Sequence, residues 1–254
     1  MRTVPVETMI IFDLDGTLWD SGKEVADSWN LVISSCLSSS KDASFKPLTV
    51  DDIHGVMGMN MKEISELLLP DYKGSDKQKI FKECEKFEVE YINKHGGKLY
   101  RGVPETLMKL KASGYKMAIV SNCQTGYISA FLNSMGMHDF FCDYEEWGRT
   151  LRSKAENIRL VMERNGCRKA IYIGDIQKDI DSAHSAGIPC IHAAYGFGEV
   201  KDADYIIKDF SELPSVLAQY VSGVSMRCQQ GVNGDGSQCV NGDGSQCVNG
   251  DGSR

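Results

Sequence analysis

The chain of 254 residues lacks any apolar run of the roughly 20 residues that a membrane-spanning helix needs. Before Asp13 it has one Arg and no long apolar stretch, so we predict no signal peptide. It also lacks a surplus of basic residues, because 28 Lys and Arg stand against 35 Asp and Glu, for a net charge of −7. This balance argues against nucleic acid and acidic membrane surfaces as partners.

The cysteines lack the spacings that bind metals or form redox pairs. There are nine of them, an odd number, with no Cys-x-x-Cys pair and no Cys/His spacing typical of zinc. Free thiols in a reducing compartment are the simplest interpretation, so we predict a cytoplasmic protein. Hydrophobic residues make up 42% of the chain and charged residues 25%, which is typical of a globular protein with a substantial core.

Two acids directly follow a short apolar run near the start of the chain. Four apolar residues, 9–12, predict a buried parallel strand, and Asp13 and Asp15 come after it. Gly16 then permits a turn that other residues resist. In an open α/β sheet, ligands bind at the carboxyl ends of the strands. Two acids there repel each other and need a cation or a proton between them, so we interpret the motif as catalytic.

The rest of the chain shows two different patterns. Residues 18–97 have helical periodicity and no predicted strand, beginning with Trp19 and Asp20 as a hinge. From residue 98 to 222, helices alternate with predicted strands at 115–120, 140–144, 170–173, 189–193 and 204–207. This alternation predicts an α/β fold with a doubly wound parallel sheet, formed by residues 1–17 and 98–222. Residues 18–97 would be a helical insertion.

Four short motifs resemble those of the haloacid dehalogenase-like hydrolases, a superfamily made mostly of phosphatases. They are Asp13-Leu14-Asp15-Gly16-Thr17, Val120-Ser121-Asn122, Lys154, and Gly174-Asp175 with Asp179. The resemblance covers about residues 6 to 215 and is greatest to the phosphoglycolate phosphatase branch. It implies a Rossmann-like core, a helical cap (18–97) that folds over the site, and a phosphatase that depends on Mg²⁺ and acts on a small phosphorylated metabolite.

The first motif supplies the candidate catalytic acids. Asp13 is the predicted nucleophile, since a carboxylate can form an aspartyl-phosphate when phosphorus is held in line. Asp15 is the predicted general acid for the leaving oxygen and later the base for water. The hydroxyl of Thr17 either contacts the phosphate or caps a turn.

The second and third motifs supply candidate phosphate ligands. A Ser hydroxyl and a following backbone N–H at a strand end can hold a phosphate oxygen, which is the role predicted for Ser121 and Asn122. Lys154 would stabilise the charge on the transferred phosphoryl group. Arg149, Arg152 and Lys169 are rival cations, and a surface Lys at a helix start is the alternative interpretation. The position of Lys154 just before the helix that leads into the Gly174-Asp175 strand favours Lys154.

The fourth motif supplies the candidate metal ligands. The resemblance implies that Asp175 binds Mg²⁺ together with Asp13 and the backbone carbonyl of Asp15. Asp179 would hold the metal through water or orient Lys154. Mg²⁺ prefers oxygen ligands, and a dianionic phosphate could not enter a cluster of acids without a divalent cation.

The substrate is set by loops of the cap in the resembled proteins, so we predict specificity roles for Met59 and Asn60. Two other functions stay open. Phosphomutases of the β-phosphoglucomutase type usually carry Val where this chain has Thr17. A non-enzymatic binding protein on the same fold would be favoured by a missing motif acid, but all four are present. The sequence predicts neither the particular substrate nor the oligomeric state.

The last part of the chain has a different composition. The run Val-Asn-Gly-Asp-Gly-Ser-Gln-Cys occupies residues 232–239, returns at 240–247 and breaks off at Ser253. Such a repeat has little apolar surface to bury, so we predict a disordered tail over residues 223–254. It lacks the further acids of a calcium-binding loop.

Removal of the residues after Val221 is expected to leave both the melting temperature and the turnover nearly unchanged, because the repeat buries no apolar surface. Calorimetry and a phosphatase assay on full-length and truncated protein measure the two quantities. A large drop in either one would mean that the tail packs against the folded part.

Overall fold

A parallel six-stranded sheet forms the centre of the molecule in a computed structural model, which describes residues 8–37, 46–70, 72 and 74–222. The predicted tail, 223–254, lies outside the described residues. The strands are β1 (Thr8–Phe12), β2 (Trp19–Asp20), β3 (Lys98–Leu99), β4 (Lys116–Ser121), β5 (Asp143–Glu146), β6 (Lys169–Gly174), β7 (Cys190–Ala193) and β8 (Tyr205–Ile207). The large sheet has the order β5-β4-β1-β6-β7-β8.

Helices cover the sheet and fill the insertion after β2. They are α1 (Gly22–Leu37), α2 (Val50–His54), α3 (Met61–Leu68), α4 (Gly74–His95), α5 (Val103–Ala112), α6 (Tyr127–Met135), α7 (Trp147–Thr150), α8 (Lys154–Arg164), α9 (Gln177–Ala186) and α10 (Leu213–Ser222). All pairings within the six-stranded sheet are parallel. The predicted α/β fold with a doubly wound parallel sheet is therefore confirmed.

The central strand β1 is buried on both faces. Alternate side chains of a strand point to opposite faces, and Ile10 and Phe12 belong to one hydrophobic cluster while Met9 and Ile11 belong to another. Helices α8 and α9 complete the second cluster, and α5, α6 and α10 contribute to the first. Burial on both faces explains why the strand is apolar throughout, as expected for a parallel sheet.

The predicted absence of strands in residues 18–97 is wrong at one end of that segment. Trp19 and Asp20 form β2, which pairs antiparallel with β3, directly after the insertion. A two-residue strand is too short for alternation to reveal it. Trp19 is fully buried and packs edge-on against Tyr127 and Phe131, with ring centroids 6.1 and 4.8 Å away. The division into core and cap stays a prediction.

The strand predicted at 140–144 is displaced toward the carboxyl terminus. Residues His138–Phe140 form a 3₁₀ turn, and the strand is β5, Asp143–Glu146. Its acidic sequence does not resemble a buried strand, but its carboxylates are paired. Glu145, for example, lies 2.9 Å from Arg149 and 2.7 Å from Arg164.

Within the described residues, no helix is both long enough and apolar enough to cross a membrane. The six cysteines in the same part of the chain are free: Cys36, Cys84, Cys123, Cys142, Cys167 and Cys190.

Replacement of Gly97 by Ala is expected to destabilise the fold by about 1–3 kcal/mol, because a well-packed site would be overfilled. A Cβ at this position would lie 2.8 Å from Cε3 of the buried Trp19 and 3.1 Å from the carbonyl oxygen of Asp20. Urea unfolding measures the change in the free energy of unfolding.

Gly55→Ala is the matched control. A Cβ there meets only backbone oxygens, at 3.4 and 3.6 Å, and the backbone φ is −63°. This variant should be neutral or more stable by about 0.4–1 kcal/mol. Equal stabilities of the two variants would contradict the close packing of Gly97 on Trp19.

Candidate active site

The carboxyl ends of three neighbouring strands bring the predicted motifs together. Asp13 follows β1, Ser121 ends β4, and Asp175 follows β6. Because β1 lies between β4 and β6 in the sheet, these residues meet at one edge. All three are buried.

The ammonium group of Lys154 lies between two of the predicted acids. Its Nζ is 3.0 Å from Oδ1 of Asp13 and 2.6 Å from Oδ1 of Asp179. The residue begins α8, whose start is fixed by a reciprocal cap between Ser153 and Glu156. Burial opposes the charge on Lys154, but the two carboxylates outweigh it and raise its pKa. Lys154 therefore stays protonated, with Asp13 and Asp179 as its two carboxylate partners.

A group of three carboxylates is suited to a metal ion. One oxygen each from Asp13, Asp175 and Asp179 lies within 4.8 Å of the others. Burial raises the pKa of Asp13 to about 7 and that of Asp175 to about 8, and repulsion from Asp179 acts in the same direction. One ammonium group faces three carboxylates, so the cluster is short of positive charge. An all-oxygen donor set of this kind fits Mg²⁺.

Glycines allow the backbone to approach Asp175 closely. Gly16 has φ +81°, and a Cβ there would lie 2.0 Å from Oδ2 of Asp175. A Cβ on Gly196 would lie 2.3 Å from the Asp175 Cβ. The N–H of Phe197 donates a hydrogen bond of 2.8 Å to Oδ2 of Asp175. The turn after Asp15 therefore requires glycine for two reasons, its backbone angle and its packing.

The side chain of Asp15 belongs to a separate group of hydrogen bonds. Its Oδ1 accepts from Ser21 Oγ at 2.6 Å and from Tyr127 OH at 3.0 Å. Burial raises the pKa of Asp15 to about 6, and these two hydrogen bonds act against the rise. Sequence reasoning did not identify Ser21 or Tyr127. Tyr127 lies 112 residues from Asp15 along the chain, and no local pattern marks it.

The remaining predicted phosphate ligands differ in their positions. Ser121 and Asn122 line a cavity of about 50 Å³ beside Asp13 and Asp15. Thr17 does not line that cavity, and its buried hydroxyl makes no hydrogen bond with the described residues. Ser121 and Asn122 thus share this cavity with the two acids, whereas Thr17 is not part of its lining.

The helical insertion contacts the core around this cavity. Asn122 Nδ2 donates to the carbonyl oxygen of Gly58 at 3.1 Å. Lys178 of α9 forms a 3.0 Å ion pair with Glu63 of α3. In addition, the His54 ring of α2 stacks on Phe197, with centroids 4.4 Å apart. These contacts hold the insertion over the site.

The two predicted specificity residues have different surroundings. Met59 lines the cavity, next to Gly58. Asn60 does not, because its side chain caps α3 by accepting hydrogen bonds from the backbone N–H groups of Lys62 and Glu63.

The fold and the motifs together match a known family. Residues 10–193 match the haloacid dehalogenase-like hydrolases, and the chain belongs to that family. The predicted resemblance is confirmed. So is the predicted enzyme class, a hydrolase that acts on phosphoric monoesters.

Curated relatives of similar length carry one name. The chain is 30% identical over 220 residues to a phosphoglycolate phosphatase of Rhodobacter capsulatus, covering 82% of this chain and 95% of the relative. It is 27% identical over 241 residues to a phosphoglycolate phosphatase of Agrobacterium fabrum, covering 87% and 97%.

Solved structures share the fold. One, described as a predicted phosphoglycolate phosphatase from Haemophilus somnus, has a TM-score of 0.73 at 24% identity, covering 84% of this chain and 99% of that one. A β-phosphoglucomutase from Clostridium difficile has a TM-score of 0.62 at 17% identity, covering 84% and 98%.

Proposed function

We propose that this protein is a magnesium-dependent phosphatase that hydrolyses a small phosphate monoester through an aspartyl-phosphate on Asp13. The observation that supports this most directly is the buried bridge of Lys154 between Asp13 and Asp179, beside Asp175. A fixed cation beside a carboxylate, at the sheet edge where ligands bind, is what attack by that carboxylate on a phosphoryl group requires. The names of the relatives make 2-phosphoglycolate the first substrate to test.

The two chemical steps are divided between two acids. An oxygen of Asp13 forms a bond to phosphorus while the bond to the leaving oxygen breaks, and Asp15 gives its proton to that oxygen. Asp15 then takes a proton from a water molecule, which attacks the aspartyl-phosphate and releases inorganic phosphate. The pKa of about 6 suits Asp15 to both tasks near neutral pH. Ser121, Asn122 and Lys154 would hold the phosphoryl oxygens.

The oxygen ligands available for Mg²⁺ are the carboxylates of Asp13, Asp175 and Asp179, with the backbone carbonyl of Asp15. Bound there, Mg²⁺ supplies the positive charge that a dianionic phosphate needs beside these acids. A cytoplasmic location and the exclusion of nucleic acid and membrane partners stay predictions from composition.

Magnesium is expected to raise the melting temperature more at pH 8 than at pH 5. A carboxyl group whose pKa rises on folding binds its proton more tightly in the folded state. The free energy of unfolding therefore decreases as the pH increases from about 4, the pKa of an unfolded Asp, to about 8, the pKa of Asp175 in the folded protein. The metal replaces those protons. At 100-fold excess over its dissociation constant, Mg²⁺ should add roughly 5–10 °C at pH 8, as measured by calorimetry.

Two variants control this measurement. Asp175→Asn should lose most of the magnesium-dependent shift, whereas Asp181→Asn, an exposed acid on α9, should keep it. A shift that is the same at both pH values, or that survives in Asp175→Asn, would contradict the assignment of the metal site.

The Asp15→Asn variant should accumulate a phosphorylated enzyme when it is given p-nitrophenyl phosphate. The p-nitrophenolate group leaves without a proton, so the first step needs no acid, but hydrolysis of the aspartyl-phosphate still needs the base. Loss of general base catalysis slows that step by about 100- to 10,000-fold. Mass spectrometry after rapid quenching should find one phosphoryl group on the peptide that contains Asp13.

The control is Asp13→Asn, which should carry no phosphoryl group. Phosphorylation of Ser121, or full steady-state turnover by Asp15→Asn, would show that the roles given to the two acids are mistaken.

A further inference from the structure

The cavity beside Asp13 has an unusual wall on the side of the helical insertion. The residues that line the cavity on that side are mainly apolar, among them Val25, Trp29 and Ile53. The one carboxylate among them is that of Glu88 on α4. None of the described residues that line the cavity is Lys or Arg. The nearest cation of the site, Lys154, is already bound between Asp13 and Asp179.

Glu88 is buried and has no cationic partner among the described residues. Only 4% of its surface is exposed, and Trp29 Nε1 donates a hydrogen bond to its Oε2. None of the ion pairs between described residues includes Glu88. Burial raises its pKa to about 7, the hydrogen bond from Trp29 acts against the rise, and repulsion from Asp15 adds to it. A buried acid without a counter-charge is costly, and a bound group that donates a hydrogen bond would lower that cost.

The position of Glu88 relates it to the leaving group rather than to the phosphate. The phosphoryl group would lie at Asp13, Ser121 and Asn122, which follow or end strands of the core, whereas Glu88 lines the same cavity from α4 of the helical insertion. The leaving oxygen would face Asp15, whose charge is close enough to Glu88 to raise the pKa of Glu88. The carbon chain of the leaving group would therefore extend from Asp15 toward Glu88. The cavity is small, about 50 Å³, which favours a short chain.

We propose, on the basis of the proposed function, that the preferred substrate has a short leaving group that ends in a hydrogen-bond donor, an ammonium or a hydroxyl, which binds Glu88. A leaving group that ends in a carboxylate would face the carboxylate of Glu88 in a buried cavity without a free cation, so it is disfavoured. This differs from the substrate in the names of the relatives, because the leaving group of 2-phosphoglycolate carries a carboxylate.

Four esters of nearly equal length test the proposal on the wild-type enzyme with Mg²⁺. They are phosphoethanolamine, 2-hydroxyethyl phosphate, propyl phosphate and 2-phosphoglycolate, which end in an ammonium, a hydroxyl, a methyl and a carboxylate. The assay is run at pH 8, above the pKa of Glu88, so that its side chain is charged. The kcat/KM of the first two should exceed that of 2-phosphoglycolate by roughly 10- to 100-fold, the factor expected for one hydrogen bond to a charged group.

The Glu88→Gln variant separates recognition from a structural role. Gln has nearly the same shape and can still accept the hydrogen bond from Trp29. The kcat/KM of the variant should fall for phosphoethanolamine and rise for 2-phosphoglycolate. The ratio of kcat/KM for phosphoethanolamine to that for 2-phosphoglycolate should therefore decrease by about tenfold or more. Glu83→Gln, on an exposed position of the same helix, makes the same change in net charge and should leave the ratio unchanged. An equal loss for all four esters would show a structural role and overturn the proposal.

An aryl phosphate distinguishes failure of this proposal from failure of the proposed function. If the wild type hydrolyses p-nitrophenyl phosphate but prefers 2-phosphoglycolate among the four esters, or hydrolyses none of the four, only the proposal about Glu88 is overturned. If it hydrolyses neither the aryl phosphate nor any of the four, the proposed phosphatase activity is overturned as well. The ranking of the four esters by kcat/KM on the wild-type enzyme tests the proposal even if the Glu88→Gln variant does not fold.

Discussion

The ion pairs of Lys154 are the interaction on which the rest of the site depends. Asp13 and Asp179 are both buried, and the ammonium group between them is the cation that they share. Removal of one partner from a buried ion pair leaves an uncompensated charge, which costs about 3–5 kcal/mol. Asp13 follows β1, Lys154 begins α8 and Asp179 lies in α9, so this contact joins three elements that are separate in the sequence.

Sheet topology explains why so much of the site could be predicted from the sequence. Asp13 and Asp175 each follow an apolar strand directly, and both features are visible in a few consecutive residues. Once the strands are parallel, their carboxyl ends must lie at one edge. Lys154 is harder to single out from the sequence, because Arg149, Arg152 and Lys169 are other cations near α8. The structure separates them, since Arg149 is paired with Glu145 of β5.

The residues that sequence reasoning missed are those whose neighbours are distant along the chain. Ser21 and Tyr127 are 106 residues apart and share the hydrogen bonds of Asp15. Glu88 lies within a long charged helix, where a single buried acid cannot be distinguished from exposed ones. Strand β2 is too short for a periodic pattern. Strand β5 accommodates its acids because Asp143 and Glu145 pair with Arg164 and Glu146 accepts a hydrogen bond from the Gly126 amide. In each case a tertiary contact outweighs the local pattern.

The stacking of His54 on Phe197 connects the helical insertion to the carboxylate cluster at Asp175. Phe197 belongs to the core, and its amide holds Asp175, while its ring is covered by the insertion. If the insertion moved away from the core, that ring would lose its packing on one side, and the amide would be held less firmly. Closure over a substrate and occupation of the carboxylate cluster should therefore favour each other by the same free energy. In such an arrangement the metal would bind more tightly when substrate is present, and substrate would bind more tightly when the metal is present.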